Sequence, residues 1–356
     1  MALILPAKAE GFARAAEVTR KGFMAARDVS DDKPAVQVIE TDGSAAGALA
    51  AYQEALAKNV AVIVGPLTKT EVAAVIKEPV LVPTLLLNTP DGAVSAPRGL
   101  YMLSLSTELE AQAVADAAYR PDATTAVVVA TASPISRRAS TAFQEAWTRQ
   151  GGVIKEVIEF TGNLARVKRG VDAARANVVF LAADPERARV LRPFLGRNTV
   201  IISTSQVYAI PRMEVPPPPA APVTRPDAPG TAAPAAPAAP VEPAAPELQK
   251  VPDLNGLRFV DMPWLLQPDH AATMVYARPE PALPADLARL YALGIDAFRV
   301  AQQLSRQRGS FEIDGVTGKL AVNGGLIERT PVQAEYRDGV AVLRDPASAF
   351  AAQAGR

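Results

Sequence analysis

The chain has 356 residues, 49% of them hydrophobic, and its 37 Lys plus Arg residues are balanced by 37 Asp plus Glu residues. This length favours two domains of about 100–200 residues each, and zero net charge argues against binding of nucleic acid or of an anionic membrane surface. The lack of cysteine and the single histidine, His270, exclude disulfides, thiolate chemistry and zinc sites made of Cys or of several His residues.

The first quarter of the chain alternates short β-branched segments with longer Ala-rich amphipathic segments, a pattern typical of β-α-β units. It predicts strands at 2–5, 35–40, 60–64 and 80–87, and helices at 10–27, 44–58 and from Thr68 or Thr70 to Ile76. The second of these helices is expected to be capped by Asp42 or Ser44. The inward face of the first helix is expected to carry Phe12, Ala16, Phe23 and Ala26.

The same pattern repeats after residue 105 and predicts a second lobe. Its expected helices lie at 108–119, 135–149, 164–175 and 185–195, and its expected strands lie at 124–131, 153–160, 178–181 and 199–203. Short buried strands joined by helical crossovers form parallel sheets with helices on both faces. The predicted fold class is therefore α/β, with two doubly wound Rossmann-like lobes whose strands end at a common cleft.

A proline-rich segment interrupts the chain at 211–252, where 14 of the 32 prolines are found. Proline cannot donate sheet hydrogen bonds, and the alanines between the prolines bury too little apolar surface to offset the entropy of ordering. We predict an extended, disordered insertion, which is either a tolerated surface segment or an arm that contacts a partner.

After the insertion, the sequence predicts a strand at 256–261, a long helix at 286–307 and short glycine-separated strands between 311 and 342. This part is too short for a third domain, so we expect it to complete the two earlier sheets across a multiply crossed hinge. The predicted lobe 1 comprises 1–105 plus about 255–327, and the predicted lobe 2 comprises 106–208 plus about 328–346.

No motif for catalysis is evident. The sequence lacks a glycine-rich phosphate loop and a Gly-x-Ser-x-Gly elbow, and the Ser30-Asp-Asp-Lys33 match to penicillin-recognising enzymes lacks its companion motifs. His270 lies in a polar turn. Solvated or capping roles are expected for Asp184, Glu186, Asp261 and Asp269. We therefore expect no catalytic residue, no metal ion and no cofactor.

The strand ends that face the predicted cleft carry small hydroxyl, amide and basic side chains, which bind ligands more readily than they catalyse reactions. The candidates in lobe 1 are Lys8, Thr68, Lys69, Thr70, Asn88 and Thr89. The candidates in lobe 2 are Ser133, Ser136, Arg137, Asp184, Ser205 and Gln206. Because hydroxyls at the starts of helices also serve as caps, a purely structural role is the alternative for each of them.

Several longer motifs resemble known proteins. Gly65-Pro66 after a Val-rich strand, followed by Val82-Pro-Thr-Leu-Leu-Leu-Asn88, resembles type I periplasmic binding proteins, in which two α/β lobes joined by three crossovers close on a ligand. Similarity to the C-terminal domain of the LpoA family is carried by Asp261-Met-Pro-Trp264, Gly294-Ile-Asp-Ala297, Gly315-Val-Thr-Gly-Lys-Leu320 and Ile327-Glu-Arg-Thr-Pro331. Apart from the proline-rich insertion, the resemblance covers nearly the whole chain.

The LpoA resemblance implies an outer-membrane lipoprotein in the periplasm, with a lipidated cysteine upstream of this chain and no enzymatic activity of its own. Its partner would be a class A penicillin-binding protein, a bifunctional peptidoglycan synthase whose transpeptidase it would activate. The protein would be attached to the membrane only through the lipid on that cysteine. Because the sequence begins directly on a strand without a signal-peptide pattern, we expect either a cytosolic protein or a leader that lies upstream.

The same fold also serves as the solute-binding protein of transporters, and a fold alone does not decide function. In that alternative, Thr68, Thr70 and Ser205 would bind the carboxylate of an amino acid or similar small molecule, and Asp184 would bind its ammonium group. An ordered ligand in the cleft would favour the solute-binding alternative. A cleft that is small, apolar or filled by side chains would favour the activator.

Overall fold

Two mainly parallel sheets, and the helices that cover both faces of each sheet, form the two lobes of the molecule. The structure is a computed structural model and describes residues 1–92, 96–196, 199–211, 213–214, 247–306 and 309–344. Within these residues, no helix is both long enough and apolar enough to cross a membrane.

Lobe 1 begins with the predicted alternation of strands and helices. Its first elements are β1 (Ala2–Leu5), α1 (Ala13–Val29), β2 (Gln37–Glu40), α2 (Ala45–Ala57), β3 (Ile63–Val64), α3 (Lys69–Val75), β4 (Thr84–Leu86) and β5 (Leu100–Met102). The strands form a five-stranded parallel sheet in the order β2-β1-β3-β4-β5. Ser44 caps α2 and Thr68 caps α3, since each hydroxyl accepts a hydrogen bond from the backbone N–H three residues later.

The structure corrects two details of the prediction for lobe 1. Phe12, expected on the inward face of the first helix, is 48% exposed because α1 begins at Ala13 and leaves Phe12 outside the helix. The fourth strand is shorter than the predicted 80–87 and starts at Thr84. Pro83 precedes it, and a proline cannot donate a hydrogen bond to a neighbouring strand.

Lobe 2 repeats the alternation, as predicted. Its elements are α4 (Thr107–Ala118), β6 (Thr125–Thr131), α5 (Pro134–Arg149), β7 (Val153–Phe160), α6 (Leu164–Ala174), β8 (Val178–Ala182), α7 (Pro185–Leu191) and β9 (Val200–Ser203). Helices α4 and α5 cover one face of the sheet, where Phe143 stacks on Phe180 with a centroid distance of 4.2 Å. Helices α6 and α7 cover the other face.

The two ends of the proline-rich insertion lie next to each other in the fold. Two short strands at its base, β10 (Met213–Glu214) and β11 (Glu247–Leu248), pair in antiparallel fashion. The predicted disordered segment 211–252 is therefore too broad at both ends, because backbone pairing extends into it. Residues 212 and 215–246 lie outside the described residues.

The remainder of the chain serves both lobes. Its elements are β12 (Leu257–Asp261), α8 (Pro263–Leu266), α9 (Ala271–Met274), α10 (Ala285–Arg306), β13 (Phe311–Asp314), β14 (Lys319–Val322), β15 (Glu328–Thr330), β16 (Val332–Arg337) and β17 (Val340–Leu343). Strands β12, β16 and β17 extend the second sheet, whose order is β17-β16-β12-β9-β8-β6-β7. Helix α10 packs on α1 in the core of lobe 1, where Phe23 meets Phe298 edge-on at 5.2 Å.

The structure differs from the predicted lobe boundaries at two strands. The segment assigned to lobe 1 as about 255–327 begins with β12, yet β12 pairs in parallel with β9 and buries Leu257 and Phe259 in the core of lobe 2. The segment assigned to lobe 2 as about 328–346 begins with β15, which pairs instead with β14 in a separate three-stranded sheet. Both differences arise because the open edge of a sheet, rather than chain order, selects the pairing partner.

In the described part of the chain, three connections join the lobes and form the hinge. The chain passes from β5 to α4, from β12 to α8, and from β15 to β16. This arrangement confirms the predicted multiply crossed hinge.

Two buried tyrosines in lobe 2 provide a first testable prediction. Tyr208 and Tyr336 both stack on Phe259, with centroid distances of 5.5 and 5.2 Å. Burial, followed by the charge of Asp261, raises the pKa of Tyr208 from 10.0 to about 12, and burial also raises the pKa of Tyr336. Because the folded state holds these protons more tightly than the unfolded state, stability is expected to fall as the pH rises from 10.0 to about 12.

Urea denaturation at several pH values from 10.0 to about 12 measures the fall in stability, and ultraviolet titration of phenolate absorbance measures the raised pKa values. The substitution Tyr208→Phe should remove one tyrosine from the group that ionises above pH 10.0. A single ionisation step near pH 10.0 for all seven tyrosines would contradict it.

Candidate functional site

The lobe 1 side of the cleft is formed by loops that follow β1, β3 and β4. The β3–α3 loop begins at Gly65, whose φ of +97° and whose position against the Ile4 carbonyl leave no room for a Cβ. Its Thr68 hydroxyl is buried, accepts from the Glu71 N–H at 3.3 Å and donates to the Glu71 carboxylate at 2.8 Å. Thr68 is therefore fully used as a helix cap.

The other lobe 1 candidates are divided between solvent and loop structure. Lys8 and Thr70 are exposed. The Asn88 amide donates to the Leu67 carbonyl at 3.0 Å and its oxygen accepts from the Thr89 N–H at 2.9 Å, so Asn88 joins two loops. The structure thus gives Asn88 a structural role and leaves Lys8 and Thr70 available at the surface.

The lobe 2 side contains a pocket of about 210 Å³ at the carboxyl ends of β6, β8 and β9. Four of the predicted residues line it together with Thr204, namely Ser133, Ser136, Asp184 and Gln206. Ser133 and Asp184 cap α5 and α7, and the Ser136 hydroxyl lies 2.7 Å from that of Thr131. The pocket is polar on the side of the caps and apolar along Ile135, Ala139 and Ala182.

Two predicted lobe 2 residues lie away from this pocket. Arg137 is exposed and forms an ion pair with Glu159, with its Nε 3.1 Å from the carboxylate. Ser205 is buried in the hinge, where its hydroxyl donates to the Glu110 carboxylate at 2.6 Å. Neither side chain lines the pocket.

A chain of charged side chains spans the cleft between the lobes. Glu108, in the first turn of α4, lies 3.8 Å from the Lys69 ammonium of lobe 1 and 2.9 Å from the Arg138 guanidinium of lobe 2. Lys69 also pairs with Asp91 at 2.7 Å. Burial raises the pKa of Glu108, but hydrogen bonds from the Ser106 hydroxyl and the Glu108 backbone N–H, together with the two cations, outweigh it and hold the pKa below its usual value. Glu108 is therefore charged near neutral pH and occupies part of the cleft.

The hinge contains a buried ion pair, which corrects the expectation of a solvated or capping role for Asp261. Arg289 of α10 meets Asp261, at the end of β12, in bidentate geometry, with Nη2–Oδ2 and Nε–Oδ1 distances of 2.7 and 3.1 Å. Asp261 is completely buried and Arg289 is 6% exposed. Burial raises the pKa of the Asp261 carboxyl, and Arg289 opposes this shift.

A second buried ion pair lies beside the first. Glu110 of α4 accepts a hydrogen bond from Arg329 of β15, with an Nη2–Oε1 distance of 2.8 Å. Ser205 connects the two pairs, because its N–H and hydroxyl donate to Glu110 and its carbonyl accepts from Arg289 at 2.9 Å. We call Glu110, Ser205, Asp261, Arg289 and Arg329 the hinge network.

The hinge network ties together all three connections between the lobes. Glu110 lies just after the first connection, Asp261 immediately before the second, and Arg329 immediately before the third. A signal for it exists in the sequence, because Glu110 shares the inward face of α4 with Val114, and a carboxylate on a buried face requires a partner. The identity of that partner could not be read from the local sequence.

Within the described residues, the charged and hydroxyl side chains of the hinge and cleft mostly bond to one another or to the backbone. The hinge carboxylates and guanidiniums bond to one another. Of the cleft hydroxyls, those of Thr68 and Ser133 cap helices, and that of Ser136 bonds to Thr131. In the part of the chain that the structure describes, no group of three or more His, Asp or Glu side chains could hold a metal ion. These sites are suited to binding and to holding the lobes together.

Sequence comparison relates the chain to a bacterial lipoprotein family. The family model described as "LppC putative lipoprotein" matches residues 1–176 and 238–339, which is more than half of the chain. The "Penicillin-binding protein activator LpoA" of Yersinia pseudotuberculosis serotype O:1b is 26% identical, over 88% of this chain and 52% of the relative. The protein of the same name from Vibrio cholerae serotype O1 is 24% identical, over 90% and 54%. The chain spans about half the length of these relatives.

Solved structures share the fold. The LpoA (YraM) C-domain of Haemophilus influenzae, described as a regulator of PBP1A, has a TM-score of 0.71 at 21% identity, with 97% of this chain and 99% of that chain covered. A "putative branched-chain amino acid ABC transporter" of Chromobacterium violaceum also has a TM-score of 0.71, at 30% identity, with 94% and 99% covered. The predicted type I periplasmic binding protein fold and the resemblance to LpoA are confirmed. The Yersinia and Vibrio relatives are named as activators rather than as enzymes.

Proposed function

The chain belongs to the LppC lipoprotein family, and from this premise we propose that it binds a class A penicillin-binding protein and stimulates its transpeptidase. The observation that carries the proposal is the similarity, over 88% of this chain, to a relative named as a penicillin-binding protein activator. The site supports it, because the hinge and cleft offer binding groups without a nucleophile and its base. In this role the protein is a regulator of peptidoglycan synthesis.

We further propose that the protein works in the periplasm, attached to the outer membrane by a lipid on a cysteine upstream of this chain. The lipoprotein family supports this location. A periplasmic position places the two lobes in the same compartment as the extracytoplasmic domains of a synthase.

A second candidate function is the binding of an amino acid or similar small molecule for a transporter. The observation that favours it is the 30% identity to the Chromobacterium violaceum protein described as an amino acid transporter. The pocket of Ser133, Ser136, Asp184, Thr204 and Gln206 would hold the ligand. Against it, Glu108 and its two cations already fill part of the cleft.

The two candidates differ in what they bind, so one set of measurements separates them. The purified chain is presented on a surface to the periplasmic portions of the class A synthases of its own organism, and cross-linking by each synthase is assayed with and without it. Binding to one synthase and faster cross-linking are expected. No binding to any synthase, together with a rise in melting temperature on addition of an amino acid, would overturn the activator proposal in favour of solute binding.

The role of the insertion is tested in the same assay with a deletion that keeps the ribbon at its base. Glu214 and Glu247 are paired across β10 and β11, so replacing 215–246 by Asn-Gly closes the ribbon with a two-residue turn. We expect this variant to bind the synthase as the wild type does. Contacts made by small Ala and Pro side chains would offset little of the entropy that the segment loses when binding orders it. Weaker binding by the deletion variant would instead make the insertion a contact arm.

A further inference from the structure

A second cavity lies outside the cleft, between α4 and the segment that leads into the third connection. We call it the hinge groove and define it by α4 and residues 326–331. It has a volume of about 170 Å³, and its apolar lining includes Leu109, Ala113, Leu326 and Pro331. Leu326 is 42% exposed, so its side chain is accessible to a bound partner.

The charges along the hinge groove are predominantly acidic. Among the described residues, its lining includes three acidic side chains, Glu110, Asp116 and Glu328, and one basic side chain, Arg329, which is already paired with Glu110. Asp116 and Glu328 are exposed, and neither forms an ion pair within the residues that the structure describes. An apolar cavity with uncompensated carboxylates at its rim is complementary to an apolar side chain flanked by basic residues.

The position of the groove links it to both lobes. One wall is α4 of lobe 2, and the other continues the lobe 1 sheet, since Met102 of β5 bonds to Gly325 and Ile327 at 2.7 and 2.9 Å. The buried Glu110–Arg329 pair lines the same cavity. A segment bound there would contact both lobes at the point where they are joined.

We propose that the hinge groove is the docking site for the synthase, and that it takes a segment presenting an aliphatic or aromatic side chain between Lys or Arg residues. This assignment rests on the proposed activator function and adds to it the surface used and the chemistry of the partner segment. Removal of the apolar contact and reversal of the rim charge should each weaken binding of the synthase. Added salt should weaken binding of the wild-type chain, because it screens the attraction between the rim carboxylates and the basic residues of the partner.

The test is a double variant, Leu326→Lys with Glu328→Lys, measured against the periplasmic portion of the synthase by surface binding. The chain offers a matched control in Val38→Lys with Glu40→Lys. Val38 is 38% exposed, Glu40 is exposed two residues later, and β2 lies at the opposite edge of the sheet from β5. Circular dichroism melting curves establish that both variants fold.

We expect the groove variant to raise the Kd about tenfold or more, and the β2 control to bind as the wild type does. If the wild type and both variants bind the synthase equally, or if the control loses as much affinity as the groove variant, the groove assignment is wrong while the activator function stands. If the wild type binds no synthase, the activator function is wrong, and the groove assignment is overturned with it.

Discussion

Replacing Arg289 by methionine is expected to lower the free energy of unfolding by about 3–5 kcal/mol, because it leaves the carboxyl of Asp261 buried without its cation. Asp261 has no contact with solvent, and its remaining hydrogen bond comes from the Met262 N–H at 2.9 Å. The Ser205 carbonyl loses its hydrogen bond from Arg289 in the same change. Urea denaturation followed by circular dichroism measures the loss.

Two further variants test the cause of this loss. The double change Asp261→Asn with Arg289→Met should be less destabilising than Arg289→Met alone, because no buried carboxyl is left unpaired. Arg20→Met is the surface control, since Arg20 is 41% exposed in its ion pair with Glu17 and the change should cost less than about 1 kcal/mol. Equal losses for Arg289→Met and Arg20→Met would refute a structural role of the hinge pair.

Replacing Gly294 by alanine is expected to destabilise the protein by about 3 kcal/mol, although helix propensity alone would predict a gain of about 1 kcal/mol. Gly294 lies in the middle of α10, where it faces α1. A Cβ there would lie 2.1 Å from the Thr19 carbonyl oxygen and 2.7 Å from the Phe23 amide nitrogen, and neither backbone atom can move aside cheaply. Gly22 makes the reciprocal approach to Tyr291 from α1.

Gly170→Ala in α6 is the matched control for this effect. The Cβ of an alanine there would meet Ile158 Cδ1 at 2.6 Å and the Glu156 carboxylate at 3.1 Å, which are the ends of side chains rather than backbone atoms. Its stability should therefore stay within about 1 kcal/mol of the wild type in the same urea experiment. If Gly294→Ala proves as stable as Gly170→Ala, then α1 and α10 are not in backbone contact.

Many of the predicted site residues turn out to have structural roles. Thr68, Ser133 and Asp184 cap helices, and Asn88 joins two loops. The sequence could identify hydroxyls and carboxylates at helix starts, but a cap and a ligand-binding group have the same local pattern. Four of the predicted residues do meet in one pocket, because the carboxyl ends of parallel strands lie at the same edge of a sheet.

By itself, the sequence determined the α/β fold class, the order of most strands and helices, and the family resemblance. These follow from local signals, namely hydrophobic periodicity, capping residues and contiguous motifs. Only the tertiary structure decided that β12 joins the second sheet, and that Asp261 meets Arg289 and Glu110 meets Arg329. These partners are 28 and 219 residues apart, so they are brought together by sheet order and helix packing, which no local pattern specifies.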